Sequence, residues 1–281
     1  MSNPGGSNTA LAEWPASEFP SVMTVWTQLR QAAQVVTVDE PCLAPLVAHT
    51  VLEREDFASS LAALMATKAD SAEVPRAELA ELLTHVVRAD PEVAEGAAID
   101  LLSSVDRNPA YPDPLVPFLF AKGFVGLQLH RAAHSLWREG RQTLAFYLQS
   151  QVSERLGIDI HPAARIGRGV FIDHATGVVI GETAVVGDDT SILQGVTLGG
   201  TGKDSGDRHP KVGKGVLLSA GANVLGNVVI GDYSKVGAGS VVLHEVPPHT
   251  TVVGVPARVV RERQTGIPGV TMDQSCDFPE H

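Results

Sequence analysis

The chain contains 281 residues, of which 44% are hydrophobic and 19% are charged, and its formal net charge is −11. This length and composition fit one large or two smaller well-packed domains and exclude a chain dominated by disorder. The negative charge also argues against nucleic acid as the main partner, because there is no basic surplus to neutralise phosphates.

Neither a targeting segment nor a membrane span is predicted. The N-terminal stretch MSNPGGSNTALAEWPASEFPS has no basic segment followed by an apolar one, and no run of about 18 apolar residues occurs in the chain. The two cysteines, Cys42 and Cys276, lie far apart and match no metal-binding or redox spacing. We therefore expect a cytoplasmic protein that does not cross a membrane.

Apolar residues recur at helical spacing up to about residue 155. The stretches TVWTQLRQAAQVV and FASSLAALMATKA are rich in alanine, leucine and other helix-forming residues. Four prolines in DRNPAYPDPLVPF interrupt this pattern and predict a loop near residues 106–113. The following segment, residues 118–157, predicts two more helices that break near Gly140. We therefore predict an all-helical N-terminal domain over residues 1–157.

From Ile160 onward the periodicity changes to a repeat of six residues. Branched apolar residues followed by glycine recur in phase: Ile166-Gly167, Ile180-Gly181, Val186-Gly187, Val212-Gly213, Ile230-Gly231 and Val236-Gly237. A period of six fits neither a helix nor an isolated strand, but it is typical of a parallel β-helix in which each face of a triangular coil takes one hexad. The predicted fold class is therefore α+β. The helical domain caps a parallel β-helix over residues 158–260, and a C-terminal tail, residues 261–281, follows.

Two irregularities interrupt the six-residue repeat. The hexad that begins at Ile172 is followed by a start at Ile180, which predicts two extra residues just after DHATG. Between Leu198 and Val212 about eight extra residues leave the repeat as the loop 199–211. Segments that depart from a rigid scaffold are where functional residues concentrate. This loop carries the ionisable residues Lys203, Asp204, Asp207, Arg208, His209 and Lys211.

His174, in the first irregularity, is the candidate general base, because an imidazole titrates near neutral pH. Such a base is usually oriented by a carboxylate. Asp173 is adjacent in sequence and on a strand would point to the opposite side, whereas Asp159 lies nearly one triangular coil earlier and is the better candidate. The alternative is that His174 only caps a turn through backbone hydrogen bonds.

Arg208 and His209, in the second irregularity, are candidates for substrate binding. The planar guanidinium group of Arg208 suits a carboxylate, and His209 could add a donor or a second base. In a glycine-rich loop both could instead be solvated. His161, at the start of the repeat, is interpreted as structural. Four basic residues near the end of the repeat could meet phosphates or be ordinary surface charges: Lys235, Arg258, Arg261 and Arg263.

Covalent catalysis has no obvious nucleophile in this chain. Neither cysteine lies in the repeat, and no serine lies in a nucleophile-elbow motif. A base that activates the hydroxyl group of a bound acceptor suits the available residues better.

Four motifs in the repeat carry a resemblance to a known family. DIHPAA, DHATG, TLGGTGK and GDRHPK together are similar to the catalytic domain of serine O-acetyltransferases, and GAGSVVLHEVPPHTTVVGVPARVV continues the similarity. The similarity covers roughly residues 105–275. It implies a left-handed parallel β-helix, an exception to the usual right-handed crossover rule. It also implies trimers, or hexamers of two trimers joined through the helical domains, with active sites between neighbouring subunits.

The resemblance also implies a reaction and a set of site residues. An acetyl group would pass from acetyl-CoA to the hydroxyl group of L-serine without an acyl-enzyme, giving O-acetyl-L-serine for cysteine biosynthesis. L-cysteine would inhibit at the same site, and no metal is implied. By family likeness, His174 deprotonates the hydroxyl group and Asp159 orients His174. The implied contacts to serine are Asp173, Arg208, His209 and Asn108, and those to acetyl-CoA are Gly200, Thr201, Ala220, Gly221 and Ala238.

Two positions depart from the family pattern. The family has Asp where this chain has Asn108, in the loop that reaches the amino group of serine, and the neutral side chain makes a weaker hydrogen bond to an ammonium group. Asp106 could supply the charge instead. Many members end in Ile, which enters the active site of O-acetylserine sulfhydrylase, whereas this chain ends in CDFPEH, which argues against that complex.

Three alternatives stay open at the level of sequence. A related hexapeptide acetyltransferase acting on a sugar or on homoserine would keep the solenoid and the base but leave GDRHPK and DHATG unexplained. The second is a zinc site of His161, His174 and His209 across a trimer interface. The third is a non-catalytic scaffold or binding partner, against which the presence of His174, Asp159 and Arg208 argues.

Overall fold

The computed structural model describes residues 21–202, 205–262 and 265–275. A helical region is followed by a parallel β-solenoid of about five coils, so the predicted fold class is confirmed. Residues outside these ranges include Lys203, Asp204, Arg263, Cys276 and with it the whole of CDFPEH. None of the described helices combines the length and the apolar content that a membrane crossing requires.

Within the described residues, eight α-helices precede the solenoid and a short one follows it. They are α1 Val22–Asp39, α2 Ala44–Val47, α3 Phe57–Ala69, α4 Arg76–Ala89, α5 Pro91–Arg107, α6 Leu115–Phe120, α7 Lys122–Arg138, α8 Gln142–Leu156 and α9 Pro268–Thr271. A 3-10 turn, Pro41–Leu43, and a π-helical turn, Ala48–Leu52, lie between α1 and α3.

The helix boundaries follow local sequence signals. Asp56 and Ser59 form a capping box at the start of α3. Gly140, with φ +80°, separates α7 from α8, which confirms the predicted break. The proline-rich loop is shorter than its four prolines suggest, because α6 begins at Leu115 and contains Pro117.

Short strands build the solenoid. They are β1 Ile158–Ile160, β2 Arg165–Ile166, β3 Phe171–Ile172, β4 Val178–Ile180, β5 Val185–Val186, β6 Ser191–Ile192, β7 Thr197–Gly199, β8 Lys211–Val212, β9 Leu217–Leu218, β10 Asn223–Leu225, β11 Val229–Ile230, β12 Lys235–Val236, β13 Val241–Val242, β14 Thr251–Gly254 and β15 Ala257–Arg261. They form three sheets: sheet A (β1-β4-β7-β10-β13), sheet B (β2-β5-β8-β11) and sheet C (β3-β6-β9-β12-β14-β15). Neighbouring strands are parallel except for the antiparallel pair β14 and β15.

The strand registers measure the length of each coil. Ile172 pairs with Ile192, Ile192 with Leu218, and Leu218 with Val236, so successive coils advance by 20, 26 and 18 residues. Eighteen residues are three hexads, and the two longer coils therefore contain two and eight extra residues. Both predicted irregularities are confirmed, and the second is the loop between β7 and β8.

A buried ion pair joins the helical region to the first coil. Asp100 of α5 accepts hydrogen bonds of 2.8–3.0 Å from Arg131 of α7, from Gln128 and from the backbone N–H of Val170. Arg131 also donates to the carbonyl oxygen of Gly167 at 2.6 Å. Burial raises the pKa of the Asp100 carboxyl, and the charge of Arg131 opposes that shift. This network fixes α5 and α7 against the solenoid.

The C-terminal segment turns back onto sheet C. α9 packs against β6 and β9, and Ser191 donates a hydrogen bond to the carbonyl oxygen of Gly269. Lys235 is buried and donates to the carbonyl oxygens of Asp273 and Ser275. Lys235 therefore holds the tail in place, which corrects its interpretation as a surface or phosphate-binding charge.

Replacing Arg131 with methionine is expected to lower the free energy of unfolding by about 3–5 kcal/mol, because Asp100 would stay buried without its cation. Arg88→Met is the matched control. The Arg88 and Asp56 side chains are 48% and 45% exposed, so loss of their pair should change stability by at most about 1 kcal/mol. Urea unfolding at one protein concentration measures both variants. Equal losses would contradict the structural role given to the buried pair.

Candidate active site

His174 is one of two residues that the first long coil adds to the repeat. Ile172 pairs with Ile192 before the turn, and Val179 pairs with Thr197 after it. Between these pairs, this coil has six residues where the next coil has four. Asp173 and Thr176 still bond to the next coil through their backbones, so His174 and Ala175 are the additional residues. They lie within DHATG rather than after it, which corrects the predicted position of the insertion.

Both additional residues have left-handed backbone conformations, with φ +56° for His174 and +63° for Ala175. Residues with a Cβ adopt this region at an energetic cost and persist there only when their surroundings hold them. Ala175 is buried, whereas the His174 side chain is 70% exposed. Lys122, at the start of α7, donates a hydrogen bond to the Thr176 hydroxyl and holds the turn from outside. The insertion thus presents the imidazole at the corner between sheets C and A, here called the His174 corner.

The two carboxylates predicted near His174 lie in different places. Asp173 follows β3 in a turn rather than a strand, so its Oδ2 lies 3.5 Å from Nε2 of His174. The expectation that Asp173 points away is therefore corrected. Asp159 lies in β1 opposite Val179 and accepts a hydrogen bond from Gln149 at 2.6 Å. Among the described residues no ion pair joins Asp159 to His174.

A track without side chains runs along the His174 corner across successive coils. Its members all have φ between +66° and +77°: Gly177, Gly195, Gly221 and Gly239. A Cβ added to Gly195 would lie 3.4 Å from Cα of Gly221. The left-handed conformation and this close stacking both favour glycine. Ala220 and Ala238 directly precede two of these glycines, so three predicted cofactor residues lie on this glycine track.

The loop after α5 begins beside Arg107, which is hydrogen-bonded to sheet C. The side chain of Arg107, the last residue of α5, is buried and donates to the Ser191 hydroxyl and to Asp189, both at 3.1 Å. Asn108 follows directly, and its side-chain oxygen accepts a hydrogen bond from the backbone N–H of Ala110 at 3.0 Å. This Asx turn ties the Asn108 oxygen to its own loop.

Tyr111 connects this loop to Asp173. Burial, and then the negative charge of Asp173, raise the pKa of the Tyr111 hydroxyl, and a hydrogen bond from the Asn108 side chain opposes that shift. Tyr111 therefore interacts with both Asn108 and Asp173. Sequence reasoning did not identify Tyr111, because no motif marks a single aromatic residue in a proline-rich loop.

Arg208 and His209 lie at a different corner, between sheets A and B, here called the His209 corner. Nη2 of Arg208 lies 2.7 Å from Oε2 of Glu182, and Nη1 donates to the carbonyl oxygen of Gly206 at 3.1 Å. The hydrogen bond and charge of Arg208 lower the pKa of Glu182. The buried ring of His209 packs directly on Gly181, where a Cβ would lie 2.0 Å from it.

Hydrogen bonds define the protonation state of His209. The backbone N–H of Thr183 donates to Nδ1 at 3.2 Å, and the Thr183 hydroxyl lies 2.9 Å from the same atom. Nδ1 is therefore an acceptor, and Nε2 carries the proton of the neutral ring. Burial, and then the charge of Arg208, lower the pKa of His209. The corner thus combines a guanidinium group with a neutral N–H donor.

The remaining two predicted cofactor residues lie at the His209 corner, away from the glycine track. A Cβ added to Gly200 would lie 3.3 Å from Nε2 of His209. Thr201 lies beside the next coil, where a Cβ on Gly226 would be 3.4 Å from its methyl group.

His161 packs among aromatic rings. Its ring centroid lies 5.2 Å from that of Trp137 and 5.4 Å from that of Phe146, and both pairs meet edge to face. Its Nδ1 accepts a hydrogen bond from the backbone N–H of Ala163, and burial lowers its pKa. These contacts agree with a structural role. The described ranges contain no group of three or more His, Cys, Asp or Glu side chains placed to hold a metal ion.

Sheet A separates the two corners within one chain. β4 connects the His174 turn to Gly181, and its three residues span about 10 Å. The structure brings His174, Asp173 and the Asn108 loop together, and it brings Arg208 and His209 together elsewhere. Glu182 and Thr183, which hold the second group, were missed. The hexad position of Glu182 also carries charged residues elsewhere, namely Arg168, Asp188, Lys214 and Asp232, so a charge there does not mark a functional residue. The hexad position of Thr183 varies among Gly, Asp and Tyr, and a single threonine there is not a recognisable motif.

An exposed imidazole above a glycine track, on a solenoid of hexad repeats, defines the class of protein as a hexapeptide-repeat acyltransferase. The family model "Bacterial transferase hexapeptide (six repeats)" matches residues 209–244, and "Serine acetyltransferase, N-terminal" matches residues 25–129. The serine acetyltransferase of Salmonella typhimurium is 49% identical over 257 residues, covering 92% of this chain and 94% of the relative.

Solved structures show the same likeness. A serine acetyltransferase in complex with cysteine superposes with a TM-score of 0.89 at 44% identity, covering 92% of this chain and 100% of the other. The coenzyme A complex of serine acetyltransferase from Brucella abortus gives a TM-score of 0.84 at 45% identity, with 87% and 97% covered. The chain belongs to the serine acetyltransferase family.

Proposed function

We propose that the protein transfers an acetyl group from acetyl-CoA to the hydroxyl group of L-serine, giving O-acetyl-L-serine and CoA for cysteine biosynthesis. The observation that carries this proposal is the insertion of His174 and Ala175, which presents an imidazole beside the glycine track. Family membership and the likeness to cysteine-bound and coenzyme A-bound relatives support it.

His174 acts as the general base toward the serine hydroxyl. The imidazole takes the hydroxyl proton while the oxygen attacks the thioester carbonyl, and the proton then passes to the departing thiolate of CoA. Direct attack requires no covalent acyl-enzyme. The 3.5 Å between Oδ2 of Asp173 and Nε2 of His174 supports Asp173 as the group that stabilises the imidazolium that forms, and Asp159 is the second candidate for that role.

The two corners together fit a zwitterionic amino acid. The Arg208 guanidinium and the N–H at Nε2 of His209 suit the carboxylate, while Asp173 and the Asn108 loop suit the ammonium group. L-cysteine carries the same two charged groups as L-serine, so it would occupy these contacts as an inhibitor.

The glycine track suits the narrow arm of acetyl-CoA, because no side chain obstructs it. Successive coils lie about 4.8 Å apart, so an extended arm beside Ala220, Gly221 and Ala238 would end with its thioester near His174. Gly200 and Thr201 would approach that arm from the His209 corner of another chain.

The acceptor site is therefore completed between chains of a homotrimer. Within one chain sheet A separates the two corners, whereas a cyclic trimer would place the His174 corner of one chain against the His209 corner of the next. Val179, an apolar residue on the outer face of sheet A, is 39% exposed. Two trimers would pair through the helical region, where α1 exposes Met23, Val35 and Val38.

His174→Ala is expected to lower kcat for CoA release from acetyl-CoA and L-serine about 10²–10⁴-fold, the usual contribution of a general base. His244→Ala is the control, because His244 is an exposed histidine of the same solenoid. Asp173→Asn and Asp159→Asn are measured beside them, and the larger loss of kcat identifies the assisting carboxylate. Unchanged release by His174→Ala would refute the base. Release with L-homoserine alone would refute the acceptor, and release with neither acceptor would refute the enzymatic function.

Two inactive variants are expected to restore activity when their chains share a trimer. His174→Ala damages one corner and Arg208→Ala the other, so some contacts in mixed trimers pair two intact corners. Random mixing of equal amounts after refolding should restore roughly a quarter of the wild-type sites. A mixture of His174→Ala with His174→Gln is the control and should stay inactive. Mixed trimers without recovered activity would show that one chain builds the whole site.

Asn108→Asp is expected to lower the KM for L-serine roughly threefold to thirtyfold, because a charged partner binds an ammonium group more strongly than a neutral one. The Asx turn to Ala110 is retained, since a carboxylate oxygen accepts the same hydrogen bond. Asp106→Asn is assayed in parallel. A KM unchanged by Asn108→Asp but raised by Asp106→Asn would assign the charge to Asp106.

A further inference from the structure

The loop between β7 and β8 is fixed at its C-terminal end. At Gly202 and Gly206 a Cβ would meet nothing within 4 Å, so the excursion there is open. Arg208 and His209, by contrast, bond to β-solenoid residues more than twenty positions earlier in the chain. Ordering the end of an open loop costs conformational entropy. The hydrogen bonds that hold Arg208 and His209 in place must offset this cost.

The Thr183 hydroxyl is the anchor that both residues share. It accepts hydrogen bonds from the backbone N–H groups of Arg208, at 3.0 Å, and His209, at 3.1 Å. A hydroxyl has two acceptor lone pairs and one donor. Its hydrogen is available to Nδ1 of His209, 2.9 Å away, and to the Asp207 carboxylate, whose pKa is lowered by a hydrogen bond from Lys211 and in part by one from the Thr183 side chain.

Lys211 reinforces the same anchor. Its ammonium group donates to the carbonyl oxygen of Thr183 at 3.0 Å, to that of His209 at 2.7 Å and to Asp207 at 2.6 Å. The turn after β4, which contains Thr183, and the end of the loop before β8 are thus joined by hydrogen bonds that involve both backbone and side-chain atoms. Thr183 takes part in most of these bonds.

We propose that Thr183 is a positioning residue for acceptor recognition: its hydroxyl fixes the backbone at Arg208 and His209, and its backbone N–H keeps Nδ1 of His209 an acceptor. Because Nδ1 receives the backbone N–H of Thr183, the ring proton stays on Nε2. The donor to the acceptor carboxylate is thereby fixed in position and kept neutral. This inference rests on the proposed function for its kinetic part, whereas the tautomer can be measured without any reaction.

Three variants test the proposal. Thr183→Val removes the hydroxyl, Thr183→Ser keeps it, and Thr190→Val is the matched control, since the Thr190 hydroxyl bonds a carbonyl oxygen elsewhere in the solenoid. Thr183→Val is expected to raise the KM for L-serine about tenfold, with a smaller change in kcat and none in the KM for acetyl-CoA. Thr183→Ser should return the KM to within about twofold of wild type, and Thr190→Val should leave it unchanged.

NMR of the protein labelled with ¹⁵N-histidine gives the independent readout. The His209 signals are assigned by their loss in His209→Gln. In the wild type we expect a neutral ring protonated at Nε2. In Thr183→Val the ring loses a hydroxyl contact that favours its neutral form, so we expect it to gain its second proton at higher pH than in the wild type. The charged and titratable groups that face this ring, Arg208, Glu182, Lys211 and His161, are unchanged in both proteins.

The outcomes separate the two proposals. An unchanged KM in folded Thr183→Val, or equal losses in the serine and valine variants, would overturn the positioning role. So would a wild-type ring protonated at Nδ1. A wild-type protein that does not acetylate serine would instead refute the proposed function, and the NMR result would still decide whether the neutral His209 ring carries its proton at Nε2.

Discussion

The eighteen-residue register of the coils is the constraint on which the rest of the structure depends. Backbone groups of each strand bond to the next coil, so a shift by one residue would break these bonds and turn apolar side chains outward. Extra residues can therefore leave the ladder only at a corner. His174 and Ala175 leave at one corner, and the loop between β7 and β8 leaves at another. The candidate site residues His174, Arg208 and His209 therefore lie in the segments that have no place in the regular backbone pairing.

Counting hexads predicted how many residues are extra, but not which ones. Any two residues of the turn would satisfy the count, and only the backbone bonds of Asp173 and Thr176 to the next coil single out His174 and Ala175. The same insertion explains the position of Asp159. Its spacing from His174 suggested neighbouring coils, but the coil is two residues longer than the repeat, so Asp159 pairs with Val179. Contacts such as Glu182 with Arg208 depend on the path of the loop, which local sequence does not encode.

The helical region also contributes to the His174 corner. A left-handed turn at residues with a Cβ persists only when its surroundings hold it. A Cβ on Gly123 would lie 2.0 Å from the carbonyl oxygen of Ile172, so the start of α7 packs directly on the strand that precedes the turn. Arg131 fixes α7 to the first coil, and Arg107 fixes the end of α5. The same contacts that stabilise the joint between the two regions therefore place the Asn108 loop beside Asp173.

The His209 corner keeps hydrogen-bond donors available for an anionic ligand. Arg208 uses one N–H for Glu182 and one for Gly206, and a guanidinium group has five. Three donors remain for the carboxylate of an acceptor. A second cation beside Arg208 would be repelled by it and would need its own counter-ion, whereas a neutral His209 adds a directed donor without that cost. The Thr183 hydroxyl fixes the backbone of both residues, while Glu182 and the carbonyl oxygen of Gly206 hold the guanidinium group. The charged donors and the neutral one therefore keep a constant spacing, which is what recognition of a planar carboxylate requires.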